Sequence, residues 1–427
     1  MNHVESDWQR IALGDALETI IDHRGKTPGK LGGVFVDEGI PVISALHIKG
    51  GKVDFSLRER FVTPEMFKRW MPDRLRRGDV LLTSEAPLGS VAFVPSDSPL
   101  VLSQRLFALR GKAGLLDNRF LRWALESPQV RSQLSRRSSG TTVTGIRQSE
   151  LRRIELVIPP VDEQRRIVDI LEDHLSIIDA VLKSCTLATL RLDTLRKGVL
   201  ATLIPDESNY PITWKHSTVA EAGTVELGRQ RHPDWHNGSN MKPYLRVANV
   251  FEDRIDVRDV KAMHWPEGTF ERFKLHQGDI LLNEGQSPEL LGRPAIYRGE
   301  LPEVAFTNSL LRFRAGPNVI PEFALLVFRR HMHVGRFRRE SRITTNIAHL
   351  SASRLKPVEF PIPPIEEQVE IVRVAAERLS TIERVRASIN SIESRTTTLR
   401  RSVLTEAFSG RLTDRAIDDR IEEFAGV

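Results

Sequence analysis

Two segments of the chain repeat apolar residues in alternating steps of three and four, with charged residues between them. This spacing is typical of a helix with one narrow apolar stripe, as in a coiled coil. Proline is absent from about 165 to 200 and from about 365 to 408, so each segment predicts a rod of roughly 50 Å. We expect the rods to pack on each other; the alternative is that each packs only on its own domain. The stripes consist of Val168, Leu171, Leu175, Ile178, Leu182 and Cys185, and of Val372, Ala375, Leu379, Ile382, Val385, Ile389, Ile392, Leu399 and Val403.

The part of the chain before each rod contains short β-type runs separated by glycine and proline, which predict strands joined by turns. Helical stretches follow at about 117–135 and 321–339. Each part is therefore predicted to be an α+β domain with a curved mixed sheet. The predicted strands are 40–43, 79–82, 90–94 and 106–109 in the first part, and 244–247, 280–282, 295–297 and 310–313 in the second.

The chain is a tandem repeat of one globular part and one helix. Pro-Pro-Val-Asp-Glu-Gln at 159–164 returns as Pro-Pro-Ile-Glu-Glu-Gln at 363–368, an offset of 363 − 159 = 204. Gly-Asp-Val-Leu-Leu at 78–82 returns as Gly-Asp-Ile-Leu-Leu at 278–282, an offset of 200, so the globular parts have diverged more than the helices. This repeat predicts a domain at 1–158, a long helix at 159–204, a second domain at 205–362, and a second long helix with a tail at 363–427.

Positive charge is concentrated at the same place in both copies. Residues 119–154 contain eight basic and two acidic residues, and residues 323–358 contain eight basic and one acidic residue, in a chain of net charge +6. Nearly all are arginines, whose planar fork matches phosphate and guanine edges. A charge run is usually only a solvated face, but its recurrence predicts nucleic-acid contact by both windows.

The remaining composition excludes several classes of site. The single cysteine, Cys185, allows no intrachain disulfide and no cysteine-built zinc site. We interpret His331 and His333 as part of a basic helix face, so no metal site is predicted. No apolar run approaches a membrane span and no secretory signal is visible, which favours a cytoplasmic protein.

No phosphate-binding glycine loop and no catalytic motif of amino-methyltransferases is present. This absence predicts a recognition module that works for other subunits and has no catalytic residues of its own. Two alternatives stay open: a self-contained DNA-cleaving enzyme, and a scaffold that uses its coiled coil for assembly.

Both proline-rich junctions, at 158–168 and 360–368, resemble the end of a target recognition domain in type I restriction-modification specificity subunits. The two Gly-Asp-Val/Ile-Leu-Leu strands and the segment 283–293 match the pattern of that family as well. The resemblance covers essentially the whole chain. It implies two target recognition domains and two long helices that form an antiparallel coiled coil.

This resemblance also implies a function. Each domain would read one half of a split double-stranded DNA site, and the coiled coil would set the distance between the halves. Two modification subunits, which methylate adenine with S-adenosylmethionine, and restriction subunits, which use ATP and Mg²⁺, would join the complex. The chain itself would bind no cofactor.

Residues for base reading are expected in the loops that follow the matched strands, with others in an early and a late loop of each domain. The two copies differ at most of these positions, which fits two different half-sites. The candidates are Arg24, Lys26, Thr27, Ser84, Glu85, Gln104, Arg105, Thr142, Arg147 and Gln148 in the first domain, and Arg229, Gln230, Arg231, Asn283, Gln286, Ser287, Asn308, Thr345 and Asn346 in the second.

Overall fold

The computed structural model describes residues 8–23, 25–57, 60–140, 144–344 and 347–409. The chain divides into two compact units. The first unit contains Met1–Cys185 together with Asn390–Val427, and the second contains Thr186–Ile389. Each long helix therefore contributes one half to each unit.

The first unit contains a globular α+β domain followed by the first half of a long helix. Its strands are β1 (Gln9–Ala12), β2 (Leu17–Asp22), β3 (Ile40–Ile43), β4 (Ile48–Lys49), β5 (Lys52–Val53), β6 (Phe61–Val62), β7 (Val80–Thr83), β8 (Val91–Phe93), β9 (Val101–Leu102), β10 (Leu106–Gly111) and β11 (Glu155–Ile158). Its helices are α1 (Leu13–Ala16), α2 (Pro64–Trp70), α3 (Asn118–Glu126), α4 (Pro128–Arg137) and α5 (Gln148–Arg152), followed by the long helix α6 (Val161–Leu203).

The main sheet of this unit has the strand order β2-β10-β7-β8 and is antiparallel throughout. A smaller sheet, β6-β3-β9, combines an antiparallel and a parallel pair. The strands β4 and β5 form a hairpin, and β1 pairs with β11. The prediction of a mixed sheet is therefore wrong for the main sheet, in which all three strand pairs are antiparallel, and it holds only for the small sheet.

The second unit repeats this plan. Its strands are β12 (Lys215–Thr218), β13 (Gly223–Leu227), β14 (Met241–Leu245), β15 (Val250–Phe251), β16 (Arg254–Ile255), β17 (Lys261–His264), β18 (Ile280–Asn283), β19 (Gly285–Gln286), β20 (Pro294–Ile296), β21 (Ala305–Phe306), β22 (Leu310–Ala315), β23 (Arg342–Thr344), β24 (Ile347–His349) and β25 (Glu359–Ile362). Its helices are α7 (Val219–Ala222), α8 (Thr269–Phe273), α9 (Pro321–His333), α10 (Arg336–Arg339) and α11 (Ala352–Leu355), followed by the long helix α12 (Ile365–Ala407).

Sheet topology confirms the duplication. The main sheet β13-β22-β18-β20 corresponds to that of the first unit, and β17-β14-β21 corresponds to its small sheet. The hairpin β15–β16 and the pair β12–β25 complete the match. One further sheet, β19-β24-β23, is found in the second unit.

Both predicted domain helices are interrupted. The stretch predicted at 117–135 breaks between α3 and α4, where the Ser127 hydroxyl accepts a hydrogen bond from the Val130 amide and Pro128 starts the next helix. The stretch predicted at 321–339 breaks at Gly335, which has a left-handed backbone with φ of 69°.

Each unit contains a pair of antiparallel long-helix segments. In the first unit, α6 leaves the domain at its N-terminal end, while the C-terminal end of α12 reaches the domain, where the Phe408 ring lies 5.0 Å from the Phe120 ring. Leu171 and Leu175 of α6 share one apolar core with the domain and the end of α12. The two long-helix segments thus pack on each other, as expected, and each of them also packs on the domain.

In the second unit the same arrangement occurs with the roles of the helices exchanged. Leu200 at the end of α6 and Ala375 near the start of α12 belong to one apolar core with the domain. Asp193 of α6 and Arg386 of α12 form an ion pair at 2.5 Å. Two residues of the predicted apolar stripe of α12 are exposed: Val385 in this unit, at 44%, and Ile392 in the first unit, at 47%. The prediction that they are covered by the partner helix is therefore wrong.

The proline motif at each junction fixes the long helix to its domain. The buried Gln164 side chain accepts from the Asp117 amide and donates to the carbonyls of Leu115 and Pro159, at 2.8–2.9 Å. Gln368 makes the matching bonds with Ile320, Asn318 and Pro363. The repeated glutamines therefore satisfy buried backbone groups that would otherwise be unpaired.

The glutamate before each glutamine adds a second link. The Trp8 indole donates to Glu163 at 3.3 Å, and the Trp214 indole donates to Glu367 at 2.7 Å. Tryptophan thus connects the start of each domain to the first turn of its long helix.

Candidate nucleic-acid interface

Three of the predicted loops of the first unit converge where β7 ends. The Ser84 amide donates to the Arg105 carbonyl, and the Ile146 amide donates to the Ser84 carbonyl, both at 2.9 Å. The carboxylate of Glu85 binds the Arg105 guanidinium at 2.9 Å. Arg105 has a φ of 68°, an uncommon backbone for a residue other than glycine, which turns the chain into β10.

Within this cluster the side chains differ in access to solvent. Gln104, Arg105 and Arg147 are exposed, while Glu85 and Gln148, the first residue of α5, are half-buried. These five positions can present polar groups to a ligand.

Ser84 is a correction to the sequence analysis. It is 1% exposed, and its hydroxyl has no hydrogen-bond partner in the described part of the chain. Its position directly after a fully buried strand carries it into the interior, so it does not present a surface contact.

The early loop of the first unit is tied to the domain. Lys26 is half-buried and its ammonium donates to the Trp70 carbonyl at 3.2 Å. The Thr27 hydroxyl accepts from the Lys30 amide at 3.4 Å. Four other predicted residues, Arg24, Thr142, Thr345 and Asn346, lie outside the described residues.

The second unit brings its predicted loops together in the same region. The Asn308 amide donates to the Arg229 carbonyl at 3.0 Å, and the Glu284 amide donates to the Ser309 carbonyl at 3.0 Å. Gln286 lies in β19, which pairs with β24 at Ala348. The half-buried residues Gln286, Ser287 and Asn308 and the exposed residues Gln230 and Arg231 therefore come from neighbouring segments.

Arg229 has a structural role. Its guanidinium lies over the Trp235 ring at 3.8 Å and over the Trp265 ring at 4.8 Å, and it donates to the His264 carbonyl at 3.1 Å. Burial lowers the pKa of the Arg229 guanidinium. These contacts occupy the Arg229 side chain, which holds the loop that carries Gln230 and Arg231. A DNA contact by Arg229 stays a prediction.

Asn283 is a second correction in this unit. Its side chain is 0% exposed and neither amide atom has a partner in the described chain. It is the last residue of the buried strand β18, so, like Ser84, it points into the domain and not to its surface.

One component of this region is not expected from the sequence. Here Arg342–Thr344 pairs with Ile347–His349 as two antiparallel strands, in the part of the domain where a late loop is expected. The exposed His349 ring lies 3.3 Å from the Glu284 carboxylate. The sequence carries little signal for this pair, because Ile347 and Ala348 are adjacent apolar residues and do not alternate with polar ones.

Several arginines of the arginine-rich windows bind carboxylates that lie outside the windows. Arg329 is buried and binds Glu252 at 2.8 Å, and Arg330 is buried and binds Asp206. Arg119 binds Glu172 of α6 at 2.5 Å. These three arginines hold the domain together, so nucleic-acid contact by both windows stays a prediction that concerns their exposed residues. The exposed basic residues that remain are Arg136, Arg147, Arg152, Arg153, Arg338, Arg339, Arg354 and Lys356.

The histidines of α9 do not form a basic face. Burial lowers the pKa of His331 to about 4, so its ring is neutral, and its Nε2–H donates to the Glu359 carbonyl at 3.0 Å. His333 lies 3.0 Å from Glu252. Burial alone would raise the pKa of Glu252, but the hydrogen bond from His333 and the charges of Arg329 and Arg196 lower it to about 2. Among the described residues no group of side chains has the composition of a metal site.

The fold and this region define a duplicated α+β recognition protein, with one cluster of polar loop ends in each unit. A family model described as the type I restriction modification DNA specificity domain matches residues 5–184 and 211–394. The chain belongs to the family of type I restriction-modification specificity subunits, the non-catalytic components of their complexes.

Curated relatives agree with this assignment. The chain is 23% identical over 393 residues to the EcoKI specificity subunit of Escherichia coli (strain K12), covering 88% of this chain and 83% of that protein. It is 24% identical over 391 residues to the StySPI specificity subunit of Salmonella potsdam, with the same coverage of 88% and 83%.

Solved structures share the fold. One chain, solved in work on complex assembly and conformational transition of the type I R-M system, has a TM-score of 0.75 at 18% identity and covers 96% of this chain and 100% of its own length. The HsdS subunit from Thermoanaerobacter tengcongensis has a TM-score of 0.52 at 19% identity, covering 95% and 98%. In the described part of this chain, no helix combines the length and apolar character needed to cross a bilayer.

Proposed function

We propose that each unit of this chain reads one half of a bipartite double-stranded DNA site. The observation that carries the proposal is the pair of loop clusters: they lie at equivalent places on one repeated framework, yet their exposed side chains differ. Gln104, Arg105 and Arg147 in the first unit, and Gln230 and Arg231 in the second, supply the donors and acceptors that base edges and phosphates require.

The long helices set the distance between the half-sites in this proposal. They also recruit two modification subunits, which bind S-adenosylmethionine and methylate adenine, and restriction subunits, which use ATP and Mg²⁺. The chain itself contributes recognition without a cofactor, in the cytoplasm where the DNA is accessible.

The main test is genome-wide mapping of methylated adenines in cells with and without this chain. We expect one bipartite motif to lose methylation when the chain is absent. Replacing the loop residues of one unit with those of a relative should change only one half of the motif, and an unaltered methylation map would contradict the proposal.

The role of the helices has its own test. Inserting four residues in each long helix adds roughly 6 Å, and should increase the gap between the methylated half-sites while leaving both half-sequences the same. An unchanged gap would refute the spacing role without affecting the reading role.

Two further measurements separate the alternatives. The purified chain should bind DNA with a steep salt dependence, which a scaffold with incidental positive charge would not show. It should neither cleave nor methylate DNA alone, in contrast to a self-contained enzyme.

A further inference from the structure

The two long helices end at equivalent positions. Helices α6 and α12 both contain 43 residues, and their last residues, Leu203 and Ala407, are repeat counterparts at 407 − 203 = 204. The next residue, Ile204 or Phe408, is buried in the apolar core of the unit that it enters. The chain that follows each helix therefore starts from the same place on its unit.

In the second unit the segment after the helix, residues 205–210, contacts the strand pair β12–β25. The Tyr210 ring lies 5.1 Å from the His216 ring of β12 and 5.7 Å from the Trp214 ring. Burial, together with the nearby carboxylate of Glu359 on β25, raises the pKa of the Tyr210 hydroxyl. This segment is thus packed on the second unit.

In the first unit the equivalent strand pair, β1–β11, borders a cavity of about 210 Å³. Its lining includes Arg10 from β1, Val157 from β11, Val130 from α4, and Phe408. The described part of the chain ends one residue after Phe408, at Ser409. The cavity therefore lies beside the point from which the C-terminal residues continue.

The two strand pairs differ in how well they are covered. Arg10 pairs with Val157 in β1–β11 as His216 pairs with Pro361 in β12–β25. Pro361 is buried, whereas Val157 is 39% exposed. An apolar side chain that stays exposed lacks the stabilisation that burial gives. The first unit thus has a cavity and an exposed valine at the place where the second unit is covered.

We infer that the C-terminal tail, residues 410–427, binds in this cavity and covers β1–β11 as residues 205–210 cover β12–β25. The tail follows Phe408, a residue of the lining, after a single residue, so it is tethered at the cavity. A short tether gives a local concentration in the mM range, roughly, which favours the tail over any free partner.

The sequence of the tail matches the lining in charge. Asp414 is the repeat counterpart of Tyr210, at 414 − 210 = 204, and Arg10 on β1 is the counterpart of His216 on β12. Asp414 therefore binds Arg10 where Tyr210 contacts His216. The Arg10 side chain is 71% exposed and pairs with Glu155 at 3.2 Å, and a guanidinium has donors for a second carboxylate.

The tail also supplies the apolar side chain that the cavity requires. Leu412 covers Val157 and Val130, the two valines of the lining. From Phe408 to Asp414 there are 414 − 408 = 6 residues, which span at most about 20 Å. The first domain is therefore completed by residues that are among the last of the chain.

Crosslinking in the full chain tests the contact directly. Arg10→Cys with Asp414→Cys should react with a short bismaleimide to give an intrachain crosslink, detected by peptide mass spectrometry. The matched control is Lys30→Cys with Asp414→Cys, because Lys30 is an exposed residue of the same unit that does not line the cavity. We expect at least about tenfold more intrachain product from the first pair. The native Cys185 is buried, and the unaltered chain measures its background.

Hydrogen exchange tests the cover that the tail provides. Leu412→Glu should speed exchange in peptides from β1 and β11 by about fivefold, because the strand pair opens more easily without its cover. Exchange in β12 and β25 should not change. Val427→Glu makes the same kind of change at the end of the tail and should have no effect.

A charge exchange adds a rescue. Arg10→Glu should speed exchange in β1 and β11, and Asp414→Arg in the same chain should restore it, because the pair of opposite charges is rebuilt in reverse. Absence of rescue would overturn the contact between Asp414 and Arg10.

The remaining outcomes decide the inference as a whole. Equal intrachain crosslinking in both cysteine pairs, or unchanged exchange in Leu412→Glu, would overturn it. Crosslinked dimers in place of the intrachain product would mean that the tail of a second copy binds the cavity, which overturns it as well. The inference does not rest on the proposed function, and DNA recognition stays as proposed in each of these cases.

Discussion

The two recognition domains share a framework but differ at the edge that carries the polar loops. Asp79 binds Arg110 in the first unit, and Asp279 binds Arg314 in the second, each through two bonds of 2.7–2.8 Å. Both aspartates are buried, so removing the arginine of either pair takes away the main compensation for a charge in the interior.

At the loop edge the units diverge. The first unit connects Glu85 to Gly145 through an isolated bridge, while the second builds the three-stranded sheet β19-β24-β23 at the corresponding place. Arg229 lies between two tryptophans in the second unit, whereas Arg105 in the first is exposed and pairs with Glu85. The two units therefore share their framework contacts but not the contacts at the loop edge.

Loss of the junction glutamine should reduce the free energy of unfolding by the same amount in each unit. Gln164→Ala and Gln368→Ala each remove three hydrogen bonds to buried backbone groups, so we expect a loss of about 3 kcal/mol in the free energy of unfolding for each. Hydrogen exchange of peptides from the affected unit measures the loss. The exposed Gln277→Ala is the control, and a loss confined to one unit would contradict an equivalent framework.

Lowering the pH should reduce the stability of the second unit more than that of the first. His331 is unique to the second unit, since its counterpart at 331 − 204 = 127 is Ser127. The folded pKa of about 4 lies below the ordinary value of 6.5, so the unfolded chain binds the proton more tightly. Stability is therefore unaffected above about pH 6.5 and falls by about 2.5 kcal/mol between pH 7 and 4.5.

This loss can be measured by hydrogen exchange of α9 peptides at the two pH values, corrected for intrinsic rates. His331→Gln keeps a donor for the Glu359 carbonyl and should remove the pH dependence in this window. Glu252, with its pKa of about 2, loses its contribution only as the pH falls from about 4.5 towards 2. Equal acid sensitivity in the two units would refute the assignment to His331.

The two tryptophan links should differ in strength. Trp214→Phe removes a hydrogen bond of 2.7 Å to Glu367, and Trp8→Phe removes one of 3.3 Å to Glu163. We expect a cost of about 1.5 kcal/mol for the first change and less for the second. Thermal unfolding measures both, and a larger cost for Trp8→Phe would reverse the comparison.

The smallest effects are expected at the reading surface. Arg105→Ala and Arg231→Ala should leave stability unchanged and weaken DNA binding by about 1 kcal/mol each, with a smaller salt dependence if the contact is to phosphate. Fluorescence anisotropy over a range of salt concentrations measures this. Matching substitutions at the exposed Arg258, which is held by Asp256 at 2.5 Å, serve as the control.

The sequence predicted the architecture well because it is encoded locally. Two prolines followed by an acidic pair start each long helix, at Val161 and Ile365, and apolar runs between glycines became the strands of both sheets. The partners of Gln164 could not be predicted in this way, because Asp117 lies 47 residues upstream.

The candidate site was predicted less well, because the contacts that shape it also join residues that are distant in the sequence. A count of charges within residues 323–358 cannot include Asp206 or Glu252, which neutralise Arg330 and Arg329 across the fold. Nor does a sequence show that the residue after a buried strand, such as Ser84, continues into the interior. Positions such as Gln104 and Arg231 were correctly placed on the surface because turns almost always run there.

The division of each long helix between the units sets the order in which the protein can be completed during synthesis. The second unit is one continuous stretch, Thr186–Ile389, and can close as soon as it leaves the ribosome. The first unit must wait for Val403, Leu404 and Phe408, which complete its apolar core. We therefore expect the domain translated first to complete its apolar core last, so that a chain truncated before Val403 has a complete core only in its second domain.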